Sequence, residues 1–134
     1  MLRPTAAILA EVAKCDVVCA NCHRVRTRDR QRLVLTARSG LPATTAKRDR
    51  WRAQARMLDD LRAAPCTDCG ARFPACAMDF DHRDPGTKRS AVTRLIGRAG
   101  TARILEEVAK CDIVCANCHR LRTFERRSEA SGRE

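Results

Sequence analysis

Apolar residues recur at helical spacing in one long segment of the chain. Residues 47–63 carry apolar side chains every three or four positions among arginines and aspartates, and a proline follows at position 65. These side chains are Trp51, Ala55, Leu58 and Leu61. Because this spacing places them on one face, and because proline ends a helix, the segment predicts an amphipathic helix that packs against the rest of the domain.

Shorter patterns follow towards the C-terminus. Residues 77–81 alternate apolar and acidic side chains, as a short strand does, and an Asp-Pro-Gly turn comes soon after them. Two short helices are expected at about residues 90–97 and 101–110, each capped by its first residue, a serine and a threonine. A second strand at residues 112–114 and a helix that starts within the CANCHR run complete an α+β pattern.

One pattern of twenty residues occurs twice. Residues 8–27, the N-terminal repeat, read ILAEVAKCDVVCANCHRVRT, and residues 104–123, the C-terminal repeat, read ILEEVAKCDIVCANCHRLRT. Seventeen of the twenty positions are identical, so we expect the two repeats to adopt similar local structures. Their offset of 96 residues is far longer than the roughly 20 to 50 residues of a solenoid, and the pattern therefore indicates a duplicated half-module.

The composition indicates a small core that needs stabilisation by a bound metal or a disulfide. The 134 residues contain only four aromatic rings but nine cysteines, and a core of this size is marginal on apolar burial alone. The chain shows no secretory signal and no apolar run long enough to span a membrane. We therefore expect a cytoplasmic protein whose cysteine pairs bind metal instead of forming disulfides.

The net charge of +11 suggests a polyanionic partner. Arginine predominates over lysine, and its planar guanidinium suits contacts to phosphate. A solvated basic surface, or a genome rich in arginine codons, would give the same composition. Charge alone therefore favours nucleic acid only weakly.

Two CxxC pairs have the spacing of a zinc site. Cys66 and Cys69 form the first pair, and Cys115 and Cys118 form the second. Each pair places two thiolates within reach of one ion, and Gly70 follows the first pair, as a tight knuckle requires. The four cysteines therefore predict one tetrahedral structural Zn²⁺ site, in preference to reduced core thiols.

An iron–sulfur cluster is an alternative use of the cysteines, but it is less consistent with the length of the chain. The spacing with which radical enzymes hold an iron–sulfur cluster occurs twice, at Cys111, Cys115 and Cys118 and at Cys15, Cys19 and Cys22. Those enzymes resemble large α/β barrels, and this chain is too short to build one. Cys15 and Cys111 lie in apolar surroundings, where we expect buried thiols, and we expect the same of Cys76.

All three histidines lie in these motifs. His82 follows Asp81 at the end of the first predicted strand, whereas His119 and His23 each follow a CxxC pair. A lone Asp-His pair is more often a surface ion pair than a site. Here the pair is tied, together with a Cys-His pair, to one predicted zinc scaffold, which favours a functional site.

The run CTDCG, then MDFDHRDP, then CDIVCANCHRLRT resembles the HNH endonucleases, in particular the small phage and actinobacterial type that carries an Asp-His pair. The resemblance covers about residues 51–127. It implies a ββα-metal fold, or His-Me finger, in which two short strands and a helix hold one divalent cation. It also implies that Asp81 and His119 are ligands of a catalytic Mg²⁺ or another divalent ion and that His82 is the general base.

These residue types suit the hydrolysis of a phosphodiester bond. A neutral imidazole at His82 can accept a proton from water near pH 7, and a cation can stabilise the charge of the transition state. The expected substrate is DNA, read with little sequence specificity, and the zinc takes no part in the reaction. Candidate phosphate-binding residues near the site in sequence are Arg83, Lys88, Arg120 and Arg122. Ordinary surface charge explains these four equally well.

One position departs from the family pattern. The family has an asparagine a few residues before the second CxxC, where this chain has Lys110, Cys111 and Asp112. Asn117 is the only asparagine nearby. It either orients the loop of the general base or caps the CANCHR helix, and the sequence leaves both roles open.

The N-terminal repeat cannot form a complete site alone. It carries Cys19, Cys22 and His23, but no CxxC pair and no Asp-His pair lie upstream of them. The favoured interpretation is a remnant that lies loosely on the surface or contacts DNA through its arginines. A sharper hypothesis is that Cys19 and Cys22 replace Cys115 and Cys118 against the first knuckle, by exchange within a monomer or in a domain-swapped homodimer.

The expected organisation is a partial repeat at residues 1–33, a linker and helix start at 34–50, an HNH domain at 51–127 and a disordered tail at 128–134. The leading hypothesis is a metal-dependent DNA endonuclease. A non-catalytic zinc module that binds nucleic acid is the alternative, and a purely structural interaction protein is the third hypothesis.

Overall fold

The computed structural model describes residues 4–37 and 46–132. Within them the protein is α+β, with six helices and one antiparallel sheet of two strands. The helices are α1 (Thr5–Val12), α2 (Ala20–Ala37), α3 (Ala46–Leu61), α4 (Val92–Leu95), α5 (Thr101–Val108) and α6 (Ala116–Ser131). The strands are β1 (Met78–His82) and β2 (Cys111–Cys115). In this part of the chain no helix has the length and apolar character needed to cross a membrane.

The two strands pair over their whole length, and α6 begins directly after β2. Met78 lies opposite Cys115, and His82 lies opposite Cys111. The strands predicted at residues 77–81 and 112–114 are therefore confirmed to within one residue at each end. Because side chains alternate across a strand, the two aspartates of β1 lie on one face and its phenylalanine and histidine on the other.

The main apolar core joins α3 to the elements between the strands. Leu58 of α3 and Ile104 of α5 are fully buried and pack with Val92 and Cys111, while Phe80 of β1 lies against this cluster. A second cluster surrounds the cysteines at the other end of the sheet. The sheet is thus held by apolar packing at one end and by the cysteine cluster at the other.

The amphipathic helix expected at residues 47–63 is confirmed as α3, but its buried face includes a polar side chain. Gln54 is buried; its Oε1 accepts from Gly97 N at 2.8 Å, and its Nε2 donates to Ala99 O at 3.0 Å. Trp51, expected on the buried face, is half exposed and lies over Gly97. Gln54 thereby ties the loop between α4 and α5 to α3.

The helices between the strands are shorter than expected and begin without side-chain caps. Ala91 and Gly100 occupy the positions before α4 and α5, and neither forms a capping hydrogen bond through a side chain. The caps expected at Ser90 and Thr101 are therefore wrong. The backbone N–H of Ser90 instead donates to Glu107, which draws this segment towards α5 and away from a capping geometry.

Two expected boundaries are also wrong. α2 continues to Ala37, so residues 34–37 of the expected linker are helical, whereas residues 38–45 lie outside the described residues. α6 continues to Ser131, so residues 128–131 of the expected disordered tail are helical as well. In both cases, a helix that begins within a repeat continues beyond the last residue of that repeat.

The two repeats have matching helices. α1 and α5 are offset by the same 96 residues as the repeats, and so are the first residues of α2 and α6. The prediction of similar local structure is confirmed for these helices. It fails between them, because residues 15–19 have no regular secondary structure and no partner strand in the described chain, whereas residues 111–115 form β2 and pair with β1.

Candidate functional site

Four cysteines meet at one end of the sheet, as the CxxC spacing predicts. Their Sγ atoms all lie within 4.8 Å of one another. These residues are Cys66, Cys69, Cys115 and Cys118. Zn–S bonds of about 2.3 Å place the sulfurs of a tetrahedral site roughly 4 Å apart, so the four thiols could hold a metal such as zinc.

The first knuckle is built by a tight turn and anchored to β2. Gly70 adopts a φ of +72°, which favours glycine, and its N–H donates to Cys66 O at 2.9 Å. The backbone N–H of Thr67 donates to Ile113 O at 2.9 Å. Burial would raise the pKa of Cys66, but backbone N–H donors, including that of Cys69, outweigh it and lower the pKa to about 6. Cys66 is therefore available as a thiolate near neutral pH, whereas burial and the neighbouring thiols raise the pKa of Cys118.

His119 of α6 lies between the two aspartates of β1. Its Nδ1 is 2.8 Å from Asp79 Oδ2, and its Nε2 is 3.6 Å from Asp81 Oδ1. Burial would raise the pKa of Asp79, but hydrogen bonds from His119 and Arg24 outweigh it and lower the pKa to about 2. The hydrogen bond to Asp79 also raises the pKa of His119. The structure thus brings the two predicted ligands together and adds a second carboxylate that orients the imidazole.

Asp81 is buried and paired with two arginines of α6. Arg126 approaches both of its carboxylate oxygens, at 3.0 and 2.8 Å, and Arg122 Nη1 lies 3.0 Å from Oδ2. Burial would raise the pKa of Asp81, but these hydrogen bonds lower it below its usual range. Asp81 is therefore ionised, and its charge is compensated within the protein.

His82 points to the other face of β1 and is buried against α5. Its Nε2 lies 2.7 Å from Glu107 Oε1. Glu107 also accepts from Lys110 Nζ at 2.7 Å and from the backbone N–H of Arg89 at 2.9 Å. The hydrogen bond from Lys110, with those from Arg89 and His82, outweighs burial and lowers the pKa of Glu107 to about 2. His82 is thus held by an ionised carboxylate.

The histidines and aspartates share one pocket of about 260 Å³. It is bordered on the β1 side by Asp79, Asp81 and His82, and on other sides by Lys88, His119 and Arg126, among others. The proposed ligands and the proposed base therefore face a common space, although their hydrogen-bond partners lie on opposite faces of the strand.

Two of these residues were missed by the sequence analysis, although each has a signal. Asp79 lies two positions before Asp81, and the alternation of a strand puts both on one face. Glu107 lies three positions after Ile104 on an apolar helix face, where a carboxylate is unusual unless it has a partner. Their partners, His119 and His82, are far away in sequence and could not be assigned from spacing.

The four candidate phosphate-binding residues have different surroundings. Lys88 borders the pocket, and Arg120 is exposed beside a neighbouring cleft. Arg83 is exposed but donates to the backbone oxygens of Cys111, at 2.9 Å, and Ala109, which braces the turn before β2. Arg122 is bound by three carboxylates, those of Asp68, Asp81 and Asp112. Arg122 therefore links α6 to the knuckle and to both strands.

The N-terminal repeat is docked through the start of α2, so the expectation that it lies loosely on the surface is wrong for this part. Ala20 and Asn21 are buried, and Arg24 Nη1 lies 2.6 Å from Asp79 Oδ1. Asn117 bonds to Asn21 and neither orients the loop of His82 nor caps its own helix. No local sequence pattern predicts the contact between Asn21 and Asn117, because these residues lie 96 positions apart.

The remaining cysteines divide between burial and exposure. Cys111 is buried as expected, and burial raises its pKa to about 11. Cys76 is half-buried, whereas Cys15 is exposed, so the burial expected for Cys15 is wrong. Cys19 and Cys22 are exposed, and among the described residues they are not part of a group of three or more metal-binding side chains.

The chain matches no family model, no curated protein and no solved structure.

Proposed function

We propose that the protein is a metal-dependent nuclease of the HNH type that hydrolyses phosphodiester bonds in DNA. The proposal rests above all on the arrangement of His119 between the two aspartates of β1. His119 Nε2 and Asp81 Oδ1 lie 3.6 Å apart at a shared pocket. One imidazole nitrogen and one carboxylate oxygen at this separation fit a divalent cation such as Mg²⁺ or Mn²⁺, which would also keep waters as ligands.

Asp79 would act by positioning His119. A carboxylate that accepts the Nδ1 proton of a histidine fixes its tautomer and leaves Nε2 as the donor atom for a metal. The distance of 2.8 Å between Asp79 Oδ2 and His119 Nδ1 supports this role. When bound, the cation would supply positive charge that stabilises the charge of the transition state at phosphorus.

His82 would act as the general base. Ionised Glu107 can only accept a hydrogen bond, so neutral His82 carries its proton on Nε2 and keeps the lone pair on Nδ1. Nδ1 would accept a proton from the water that attacks phosphorus. Glu107 would then stabilise the imidazolium and hold the ring in position.

A basic cleft of about 400 Å³ beside the pocket supports binding to DNA. Arg24, Arg120 and Arg127 line it together with Phe124, whose side chain is 70% exposed, and His119 borders both cavities. Guanidinium groups neutralise phosphates, and an exposed ring offers a stacking surface for a base. The cleft would lead a nucleic-acid strand towards the pocket.

We assign the cluster of four cysteines to a structural Zn²⁺. The first knuckle and the N-terminus of α6 are joined through this cluster, at the opposite end of the sheet from Cys111 and the main core. A domain this small gains much of its folding free energy from such a site. The zinc would have no part in hydrolysis.

One observation favours a different function, a zinc module that binds nucleic acid without cleaving it. Both carboxylate oxygens of Asp81 are already engaged by Arg122 and Arg126. A cation at Asp81 requires at least one of these contacts to open. A module without catalysis would keep them closed.

The two functions are separated by nicking of supercoiled plasmid DNA by the zinc-loaded protein, with Mg²⁺ or Mn²⁺ and without either. We expect cation-dependent nicking that falls by at least about 100-fold in His82→Ala and in His119→Ala. His23→Ala is the matched control, because exposed His23 holds the same place in the N-terminal repeat, and its activity should equal that of the wild type.

Two further measurements accompany the assay. Manganese binding, measured by electron paramagnetic resonance, should weaken in His119→Ala and remain in His23→Ala and His82→Ala. Gel retardation should persist in His82→Ala. A wild-type protein that retards DNA in a salt-dependent manner but binds no Mn²⁺ and does not nick would establish the non-catalytic module instead.

A further inference from the structure

The two repeats have nearly the same sequence but opposite surroundings. Ile104 of the C-terminal repeat is 0% exposed, whereas its counterpart Ile8 is 51% exposed. Cys111 is buried, whereas its counterpart Cys15 is exposed. Since the residues match, the difference lies in what covers them.

In the C-terminal repeat, the cover is the segment Cys66–His82. It supplies two thiols of the cysteine cluster, a strand that pairs with β2, and His82, which bonds to Glu107. Phe80 of the same segment adds its ring to the apolar cluster around Ile104. The segment therefore makes three kinds of contact with one repeat: clustering of thiols, strand pairing and a buried hydrogen bond.

The N-terminal repeat keeps the internal contacts that receive this segment. Glu11 bonds to Lys14 at 2.7 Å, as Glu107 does to Lys110 at 2.7 Å. The N–H of Cys22 lies 3.5 Å from the sulfur of Cys19, and the same distance separates the corresponding atoms of Cys118 and Cys115. The Arg26–Asp16 ion pair, 2.9 Å, likewise reproduces Arg122–Asp112, 3.0 Å. These groups are already arranged as in the covered repeat.

The receiving surface is open. An apolar groove of about 450 Å³ is bordered by Ile8, Val12, Cys15 and Val17, and Glu11 stands at its edge. Residues 15–19, the counterpart of β2, have no regular secondary structure and no partner strand in the described chain, and Cys19 and Cys22 offer only half of a tetrahedral site. An exposed apolar face beside an unpaired segment whose near-identical copy forms a paired strand favours a docking surface for a strand.

We propose that the N-terminal repeat is a docking site for a partner protein that supplies a CxxC knuckle followed by a strand, built as Cys66–His82 is. The partner segment would pair antiparallel with residues 15–19, and its two cysteines would complete a second Zn²⁺ site with Cys19 and Cys22. Its apolar side chains would fill the groove, and a polar group at the position of His82 would bond to Glu11.

A second copy of this chain is a poor occupant by stoichiometry. Each chain has two repeats but one segment of this type, and that segment already covers its own C-terminal repeat. Exchange between two chains would leave as many repeats uncovered as before. A segment that covers the N-terminal repeat must therefore come from a different protein.

The test uses the zinc-loaded full chain and a synthetic peptide of residues 64–84 with one equivalent of Zn²⁺, because this peptide is a segment known to fit one repeat. Titration calorimetry and native mass spectrometry should show a 1:1 complex that holds two zinc ions, whereas the chain alone holds one. A peptide with Cys66→Ser and Cys69→Ser is the matched control and should bind at least tenfold more weakly.

The site of binding is checked with Cys19→Ser/Cys22→Ser. Both residues are exposed, and the variant should keep the single zinc of the chain, which serves as its folding control. We expect it to lose the second zinc and at least tenfold in affinity for the peptide. Three results would overturn the proposal: no peptide binding, peptide binding by this variant equal to that of the wild type, or zinc-driven dimerisation of the chain without peptide.

Discussion

Asn21 and Asn117 exchange hydrogen bonds across the two repeats. The backbone N–H of Asn21 lies 3.3 Å from Asn117 Oδ1, and the N–H of Asn117 lies 3.1 Å from Asn21 Oδ1. Each amide thus satisfies a free N–H in the first turn of the other helix, α2 or α6, where no intrahelical acceptor exists. The pair relates the repeats by a local two-fold arrangement and fixes how α2 lies on the rest of the domain.

Removing either asparagine side chain should destabilise the protein by about 1–3 kcal/mol, since a buried N–H loses its acceptor. The effects of Asn21→Ala and Asn117→Ala should be coupled, because each single variant breaks part of the same reciprocal contact. Urea unfolding of the two single variants and the double variant, at constant zinc, measures this coupling. Simple additivity would show that the two hydrogen bonds are independent.

The difference in burial between the repeats predicts different responses to one substitution. Ile104→Ala should lower the free energy of unfolding by about 2–5 kcal/mol, because Ile104 is fully buried in the main core. Ile8→Ala, in almost the same local sequence, should change it by less than about 0.5 kcal/mol. Equal losses in urea unfolding would mean that the N-terminal repeat is also covered in solution.

Position 97 requires glycine for two reasons, a positive φ angle and the close approach of Trp51. Its φ is +71°, and a Cβ added there would lie 2.9 Å from Trp51 Cδ1. Gly97→Ala should therefore cost about 1–3 kcal/mol and alter the tryptophan fluorescence. Gly100→Ala is the control, because a Cβ at Gly100 meets no atom within 4 Å. A neutral effect of Gly97→Ala would show that this loop has another conformation.

Zinc content should depend on one repeat only. Cys118→Ser should lose the metal and much of its stability, whereas Cys22→Ser, its counterpart, should keep one zinc per chain. The reason is that Phe80 packs in the main core and holds β1 against the C-terminal repeat. Metal analysis after gel filtration measures the content. Retention of zinc by Cys118→Ser would instead support the exchange of the knuckle to Cys19 and Cys22.

Cys15 and Cys111 should differ in reactivity. Burial raises the pKa of Cys111 to about 11 and shields its sulfur, whereas Cys15 is exposed. Since the thiolate is the reactive form, iodoacetamide at pH 8 should alkylate Cys15 at least tenfold faster than Cys111. Mass spectrometry of proteolytic peptides gives both rates in one sample. Similar rates would show that β2 opens readily.

The local features of the fold could be predicted from the sequence. The spacing in residues 47–63 predicts α3, the alternation in 77–81 predicts β1, and the two CxxC pairs predict the cysteine cluster. These signals are readable because the helical period, the strand period and the reach of a knuckle each depend on neighbouring residues. Cap positions were less predictable. The backbone N–H of Ser90 donates to Glu107 of α5, a partner 17 residues away that the local sequence does not indicate.

The contacts of the candidate site needed the tertiary structure. The partnership of His82 with Glu107 spans 25 residues, and that of His119 with Asp79 spans 40. Nothing in the local sequence ranks Asp79 against Asp81, or one arginine of α6 against another, as a partner. These choices depend on the angle at which α6 crosses the sheet.

By itself, the sequence determined that the chain carries two almost identical repeats and one knuckle able to complete a four-cysteine site. It could not determine which repeat receives the knuckle, because seventeen of twenty positions are the same. The tertiary structure decided this through long-range packing: Leu58 and Phe80 share one core with Ile104 of the C-terminal repeat, whereas its counterpart Ile8 is exposed. Local sequence encodes what a segment can bind, whereas the free energy of burying distant apolar residues together selects what it does bind.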